Sequence, residues 1–177
     1  MAVKYLLDSN TYIQAKNQYY GMGFCPAYWD WLDNSFATGE VCSIEFIGRE
    51  MQSGNDDLAA WVKARPAHFL PHDDEMTQTV YTDIVNFVMS QNFDAAPRDF
   101  FLTKGDPWLI AKAKVLGASV VTNEATVSPA TRKVKIPNVC RQFDVPCISA
   151  FDLLNALQPT FVLQRAESSL VPSGGET

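Results

Sequence analysis

The stretch that most constrains the fold runs Gly105-Asp106-Pro107-Trp108-Leu109-Ile110-Ala111-Lys112-Ala113-Lys114-Val115-Leu116-Gly117. Asp106 reads as an N-cap and Pro107 as the first helical residue, where a missing N–H costs nothing; Gly117 reads as the stop just past the end. Leu109, Ala113 and Leu116 repeat on one face with Ile110 beside them, so this helix is expected to cover a core while Lys112 and Lys114 point elsewhere. Ala118-Ser119-Val120-Val121-Thr122 follows as a buried strand ending on Asn123-Glu124, and a second apolar run, Val3 to Leu7, ends on Asp8-Ser9-Asn10. Ligands of open α/β sheets sit beyond the carboxyl ends of the strands. An isolated acid is more often a cap than a functional group. Here two strands deliver acids to the same edge and a helix start presents a third.

The rest of the chain supplies the layers. Ser9 or Asn10 is expected to cap a short helix from Thr11 to Lys16, and the glycines of Tyr19-Tyr20-Gly21-Met22-Gly23-Phe24 mark a loop. Pro26 opens an aromatic-faced helix with Tyr28, Trp31 and Leu32 that ends near Gly39. Glu40 to Ser43 is a short strand, and Ser43 is expected to cap the helix Ile44 to Gln52. On that helix Phe46, Ile47 and Met51 are apolar, which puts Glu50 at the margin of the buried face. Glu45 points about 140° away, so Glu50 is favoured as the functional acid and Glu45 as first-turn dipole stabilisation. Leu58 to Lys63 reads as a helix, and Asp73-Asp74-Glu75 charges the start of a long helix reaching about Gln91. Asn92 to Arg98 and Ala125 to Lys135 read as loops, Ile136 to Phe143 as a short helix, and Val145 to Ile148 as a strand whose Pro146 favours an edge. Ser149 caps a last helix, Ala150 to Leu157. The order predicts a three-layer α/β/α sandwich with a central parallel sheet, a single domain over residues 1–160, and a mobile tail over 161–177.

With 177 residues and 47% apolar content, the chain can bury a sizeable core. No apolar run approaches the roughly 20 residues that span a bilayer, and Met-Ala-Val-Lys-Tyr lacks the layout of a signal peptide, so the expectation is a cytoplasmic protein with no membrane partner. Cys25, Cys42, Cys140 and Cys147 show no C-x-x-C spacing and read as buried thiols; Pro71 between His68 and His72 argues against a zinc-binding helix. The net charge of −6 disfavours a polyanion partner until it is resolved along the chain. Residues 98–141 hold eight of the fourteen basic residues against three acids, for a local +5, whereas residues 30–83 hold eleven acids against three basic residues. Lys112, Arg132, Lys133 and Lys135 are candidate substrate contacts, because a basic wall beside converging acids suits polyanion cleavage.

Carboxylates about 4 Å apart repel by roughly 4 kcal/mol at an effective dielectric near 20, so Asp8, Glu50, Asp106 and Glu124 cannot converge bare. A divalent cation resolves this, and oxygen-only ligands favour Mg²⁺ or Mn²⁺. Such ions bind phosphates and activate water, and many nucleases use two of them.

The series Leu6-Leu7-Asp8-Ser9-Asn10, Glu50, Gly105-Asp106-Pro107-Trp108-Leu109-Ile110-Ala111-Lys112-Ala113, and Val120-Val121-Thr122-Asn123-Glu124 resembles the PIN-domain ribonucleases over about residues 3 to 157. Ile136-Pro137-Asn138-Val139-Cys140 followed by Val145-Pro146-Cys147-Ile148 resembles one PIN-like branch. The resemblance implies a metal-dependent endoribonuclease, the toxin of a toxin–antitoxin pair, with RNA as substrate and with an antitoxin protein and a homodimer as partners. Asp8, Glu50, Asp106 and Glu124 would be its catalytic acids and metal ligands, assisted by Asn10 and Thr122. Two features depart from the family pattern: Glu124 stands where many PIN domains have Asp, and the segment between residues 54 and 100 is longer than in compact PIN toxins. The alternatives are a catalytically silent PIN-like module that binds RNA or protein, and a phosphatase of the haloacid-dehalogenase type. The latter wants a second Asp where this chain has Asn10.

Overall fold

The computed structural model describes residues 3–163. Its centre is a five-stranded, all-parallel sheet in the order β3-β2-β1-β4-β5, built from β1 (Tyr5–Leu7), β2 (Val41–Ile44), β3 (Phe69–Leu70), β4 (Ser119–Val121) and β5 (Cys147–Ile148). Helices cover both faces, giving a three-layer α/β/α sandwich in one domain. In chain order the helices are α1 (Ser9–Gln14), continued by a π-turn over Ala15–Tyr19, then α2 (Pro26–Ala37), α3 (Glu45–Gln52), α4 (Asp57–Lys63), α5 (Glu75–Ser90), α6 (Ala95–Thr103), α7 (Asp106–Leu116), α8 (Ile136–Gln142) and α9 (Ala150–Leu157). The central strands are sheathed, so Leu6, Leu7, Val41, Ile44, Val120 and Val121 are all buried, as a doubly covered parallel sheet requires. No helix among the described residues is long and apolar enough to cross a membrane.

β1 lies in the middle, with later strands added on both sides. Its pairing with β4 sets Leu7 opposite Val121, so the next residues along, Asp8 and Thr122, emerge side by side at the carboxyl edge. This is the switch point of the sheet, where an open α/β fold has its crevice. α7 packs across β1, β2 and β4 and against α3 and α5. Leu109, Ile110, Ala111 and Ala113 form its buried side, and Gly117 ends it with φ +66°, a left-handed conformation that only glycine adopts at low cost.

Several local expectations are corrected. Asp106 does not cap α7: the Gly105 carbonyl accepts the first helical bond from the Leu109 N–H at 2.8 Å, which makes Gly105 the cap and Asp106 the first residue inside. Neither Ser9 nor Asn10 caps α1; Asp8 does, accepting from the Thr11 N–H. Ser43 is not a cap either, because β2 runs on through Ile44 and the Ser43 hydroxyl donates across the sheet to the Leu7 carbonyl at 2.6 Å. The expected loop from Asn92 to Arg98 is largely α6, with Asp94 at its start. Pro97 falls in the first turn, where proline breaks no helical bond. Leu116 is exposed rather than buried, since it lies on the last turn before Gly117. The Tyr19–Phe24 region begins inside the π-turn, and Tyr20 stacks on Tyr28 with ring centroids 4.3 Å apart. The start of the expected tail is held against the domain: the Phe161 ring lies 6.3 Å from those of Tyr20, Tyr28 and Trp31. Residues 164–177, the rest of that tail, lie outside the described residues.

Candidate functional site

Asp8 is buried yet ionisable, and the local sequence explains why it is tolerated. As the cap of α1 its Oδ1 accepts from the Thr11 N–H and the Thr11 hydroxyl, both at 2.8 Å, and its Oδ2 accepts from the Thr122 hydroxyl at 2.6 Å. The pairing of β1 with β4 makes the last bond possible. Burial nonetheless raises the Asp8 pKa above the ordinary aspartate value, and the charge of Glu124 adds to the rise.

Glu50 reaches the same edge from the last turn of α3. Its Oε1 accepts from the Gly105 N–H at 3.4 Å and stands 3.7 Å from the Lys104 Nζ. Burial pushes its pKa up, and Lys104 acts the other way. Glu45 instead forms an i,i+4 pair with Arg49 at 3.6 Å. Close approach of two helices brings Glu50 to α7: a Cβ on Gly105 would stand 2.6 Å from the Ile47 Cδ1 and 3.1 Å from the Phe46 Cδ1. Only a glycine lets the α7 start lie this near α3.

Asp106 has no hydrogen-bond partner among the described residues, although the first turn of a helix favours a negative charge. Its pKa is pushed up to about 7, first by burial and then by the charges of Asp8, Glu124 and Glu50. The four acids singled out in the sequence are thus within electrostatic reach of Asp106, and they differ in how well each is satisfied. Glu124 is neutralised by its neighbours, its Oε1 accepting from the Lys135 Nζ at 2.9 Å and its Oε2 from the Ile136 N–H at 2.8 Å. Its own N–H donates to the Thr122 hydroxyl at 3.1 Å. Glu124 therefore ties the loop after β4 to the start of α8.

The remaining candidates are dispersed. Asn10 is exposed on α1. Lys112 is drawn to Asp74, the cap of α5, at 2.6 Å, and its side chain is only 13% exposed. Arg132 pairs with Asp94 at 2.6 Å, Lys135 is held by Glu124, and Lys133 is exposed. Three of the four candidate basic contacts are thus paired off by Asp74, Asp94 and Glu124. His68 shares a 2.7 Å hydrogen bond with the Tyr12 hydroxyl, whereas His72 packs between Phe46 and Trp108. Burial lowers the His68 pKa to about 4.

Two contributors escaped the sequence reading. Thr11 was legible as the third residue after a capping Asp. Lys104 was legible from its place two residues before Asp106.

Among the described residues no three His, Cys, Asp or Glu side chains form a ready-made metal cluster. The residues that could hold a hard cation are Asp106, whose carboxyl has no partner among the described residues, with Asp8 and Glu50, whose charges reach it from neighbouring elements.

An open parallel α/β sandwich with acids gathered at its switch point is the class of protein that this fold and geometry define. Residues 5–161 match the family described as a domain of unknown function (DUF4411), and the chain belongs to that family. Comparison with curated proteins gives no significant match.

Proposed function

We propose that the protein is a divalent-metal-dependent endoribonuclease whose centre is Asp8, Glu50 and Asp106. One observation carries this reading. Asp106 is a largely buried carboxyl without a hydrogen-bond partner among the described residues, standing in the field of three other acids. Such an arrangement is costly for a protein that only needs to fold, and a cation removes the cost. The motif order that resembles PIN-domain ribonucleases points to the same chemistry.

A bound Mg²⁺ or Mn²⁺ would supply Lewis-acid activation of water and neutralise phosphate charge. The chain's own groups do the rest. Thr11 and Thr122 fix the rotamer of Asp8. The Gly105 N–H orients Glu50, and α7 presents Asp106 from its first turn. Lys104 supplies a positive charge beside Glu50. Glu124 is assigned a positioning role, because both of its oxygens are already engaged. The toxin assignment, with its antitoxin partner and dimer, rests on the resemblance alone, and growth arrest on expression of the intact chain is its test.

The nuclease reading predicts cleavage of a mixed RNA pool in Mg²⁺ or Mn²⁺ that EDTA abolishes. Asp8→Asn and Asp106→Asn should each lower the rate by at least about 100-fold, the scale of losing a group that acts only in the transition state. Parent-like cleavage by both variants overturns the assignment.

A further inference from the structure

Beside the acidic edge lies a second feature with no part in the chemistry above. A cleft of about 510 Å³ opens between the α1/π-turn segment and α9, lined by Gln14, Tyr19, Asn123 and Phe151 among others. Two of its walls are large exposed rings: Tyr19 is 60% and Phe151 70% accessible. Between them lie amides. The Asn123 Nδ2 donates to the Gln14 Oε1 at 2.8 Å, and the Asn123 Oδ1 accepts from the Ala150 N–H at 3.1 Å. Those bonds leave the Gln14 NH₂ group without a protein partner among the described residues. The lining holds no Lys, Arg, Asp, Glu or His.

The cleft shares the segment that follows β4 with the candidate centre. Asn123 stands between Thr122, which donates to Asp8, and Glu124; Gln14 stands six residues, roughly 9 Å, along the helix that Asp8 caps. We propose that this cleft binds an unpaired nucleobase of single-stranded RNA next to the phosphate held at the acids, a proposal that rests on the nuclease reading. The chemistry matches the neutral part of a nucleotide. Exposed rings stack on either face of a base, and free amide hydrogens can donate to its carbonyl and ring-nitrogen edge. The lack of cations disfavours a phosphate, and the amides between the rings disfavour a purely apolar peptide or a second copy of the chain. A duplex keeps its bases stacked and cannot offer one here.

Fluorescein-labelled oligoadenylate, oligouridylate and their duplex, titrated with the full-length protein in Ca²⁺, provide the test by anisotropy. The single strands should bind more tightly than the duplex. Tyr19→Ala and Phe151→Ala should each weaken single-strand binding by about 5- to 150-fold, the range for losing one base–aromatic stack, whereas Tyr19→Phe keeps it. Both side chains are exposed, so the fold is expected to survive, and unchanged circular dichroism checks that. Three results overturn the proposal: no RNA binding by the parent, equal binding of strand and duplex, or variants that bind like the parent. Variants that only dissociate a dimer overturn it as well. If metal-dependent cleavage is absent but binding still depends on Tyr19 and Phe151, the nuclease reading falls and the cleft stands; if cleavage occurs and the variants bind normally, the cleft falls alone.

Discussion

Glu124 and Asp106 look alike in the sequence, an acid at a strand end and an acid at a helix start, yet Glu124 has both oxygens hydrogen-bonded and Asp106 has no partner among the described residues. Removing the Glu124 carboxylate strands the Lys135 ammonium and the Ile136 N–H, so Glu124→Ala should cost roughly 1–2 kcal/mol of stability. Glu124→Gln keeps an oxygen for the Ile136 N–H and should recover part of that loss, and it should cleave RNA better than Asp106→Asn. Urea titration together with the cleavage assay checks the ranking. If Glu124→Gln is as inactive as Asp106→Asn while remaining as stable as the parent, Glu124 acts on substrate or metal directly. The sequence marked both acids, but it could not show that Lys135 and the α8 backbone come back, eleven and twelve residues later, to occupy one of them.

At the level of elements, the meeting of α3 and α7 decides whether Glu50 and Asp106 share a site. Gly105→Ala places a methyl group 2.6 Å from the Ile47 Cδ1, so the Ile47 side chain must shift within the core in which it is fully buried. Overpacking of this kind costs about 1–3 kcal/mol, which for a chain of this size lowers the melting temperature by about 2–4 °C per kcal/mol. The variant should also lose cleavage out of proportion to that shift, since it displaces the helix start that carries Asp106. A fall in melting temperature with full activity would show that the spacing of these helices is structural only. Most elements were legible from periodicity and punctuation: Pro26, Gly117 and Ser149 bound their helices where expected, and Ser149 forms a full capping box with Asp152. α6 was not: Asn92 to Arg98 reads as a loop, whereas the helix begins at Ala95 and takes Pro97 into its first turn.

For the whole molecule, buried ionisable groups set a pH dependence. The folded state holds the Asp106 proton with a pKa of about 7 against 3.8 for an ordinary aspartate, so it binds more protons than the unfolded chain between those values. The contribution is present below about pH 4 and is lost as pH rises through about 7. Burial of His68, with its pKa lowered to about 4, works in the opposite sense: its contribution is present above about pH 6.5 and is lost as pH falls through about 4. Without divalent cations the melting temperature of Asp106→Asn should therefore rise relative to the parent as pH goes from about 4 to about 8. Mg²⁺ or Mn²⁺ should stabilise the parent more at high pH than at low pH, and should stabilise Asp106→Asn little. Differential scanning fluorimetry measures both, and a metal response equal in parent and variant would remove Asp106 from the binding site.

The sequence by itself determined the layers: strand-length apolar runs alternating with helices of one buried face leave a parallel sheet between helices as the packing that covers both. It also singled out the acids, because two buried strands and a helix start each carry one towards the same edge of the sheet. Only the tertiary structure decided which acids are bare. That depends on register, which sets Thr122 beside Asp8; on the Gly105 contact, which lets α7 approach Glu50; and on ion pairs between distant segments, which take Lys112, Arg132 and Lys135 for Asp74, Asp94 and Glu124. Hydrogen bonds and charges act through space over a few ångströms, and linear order does not record those distances.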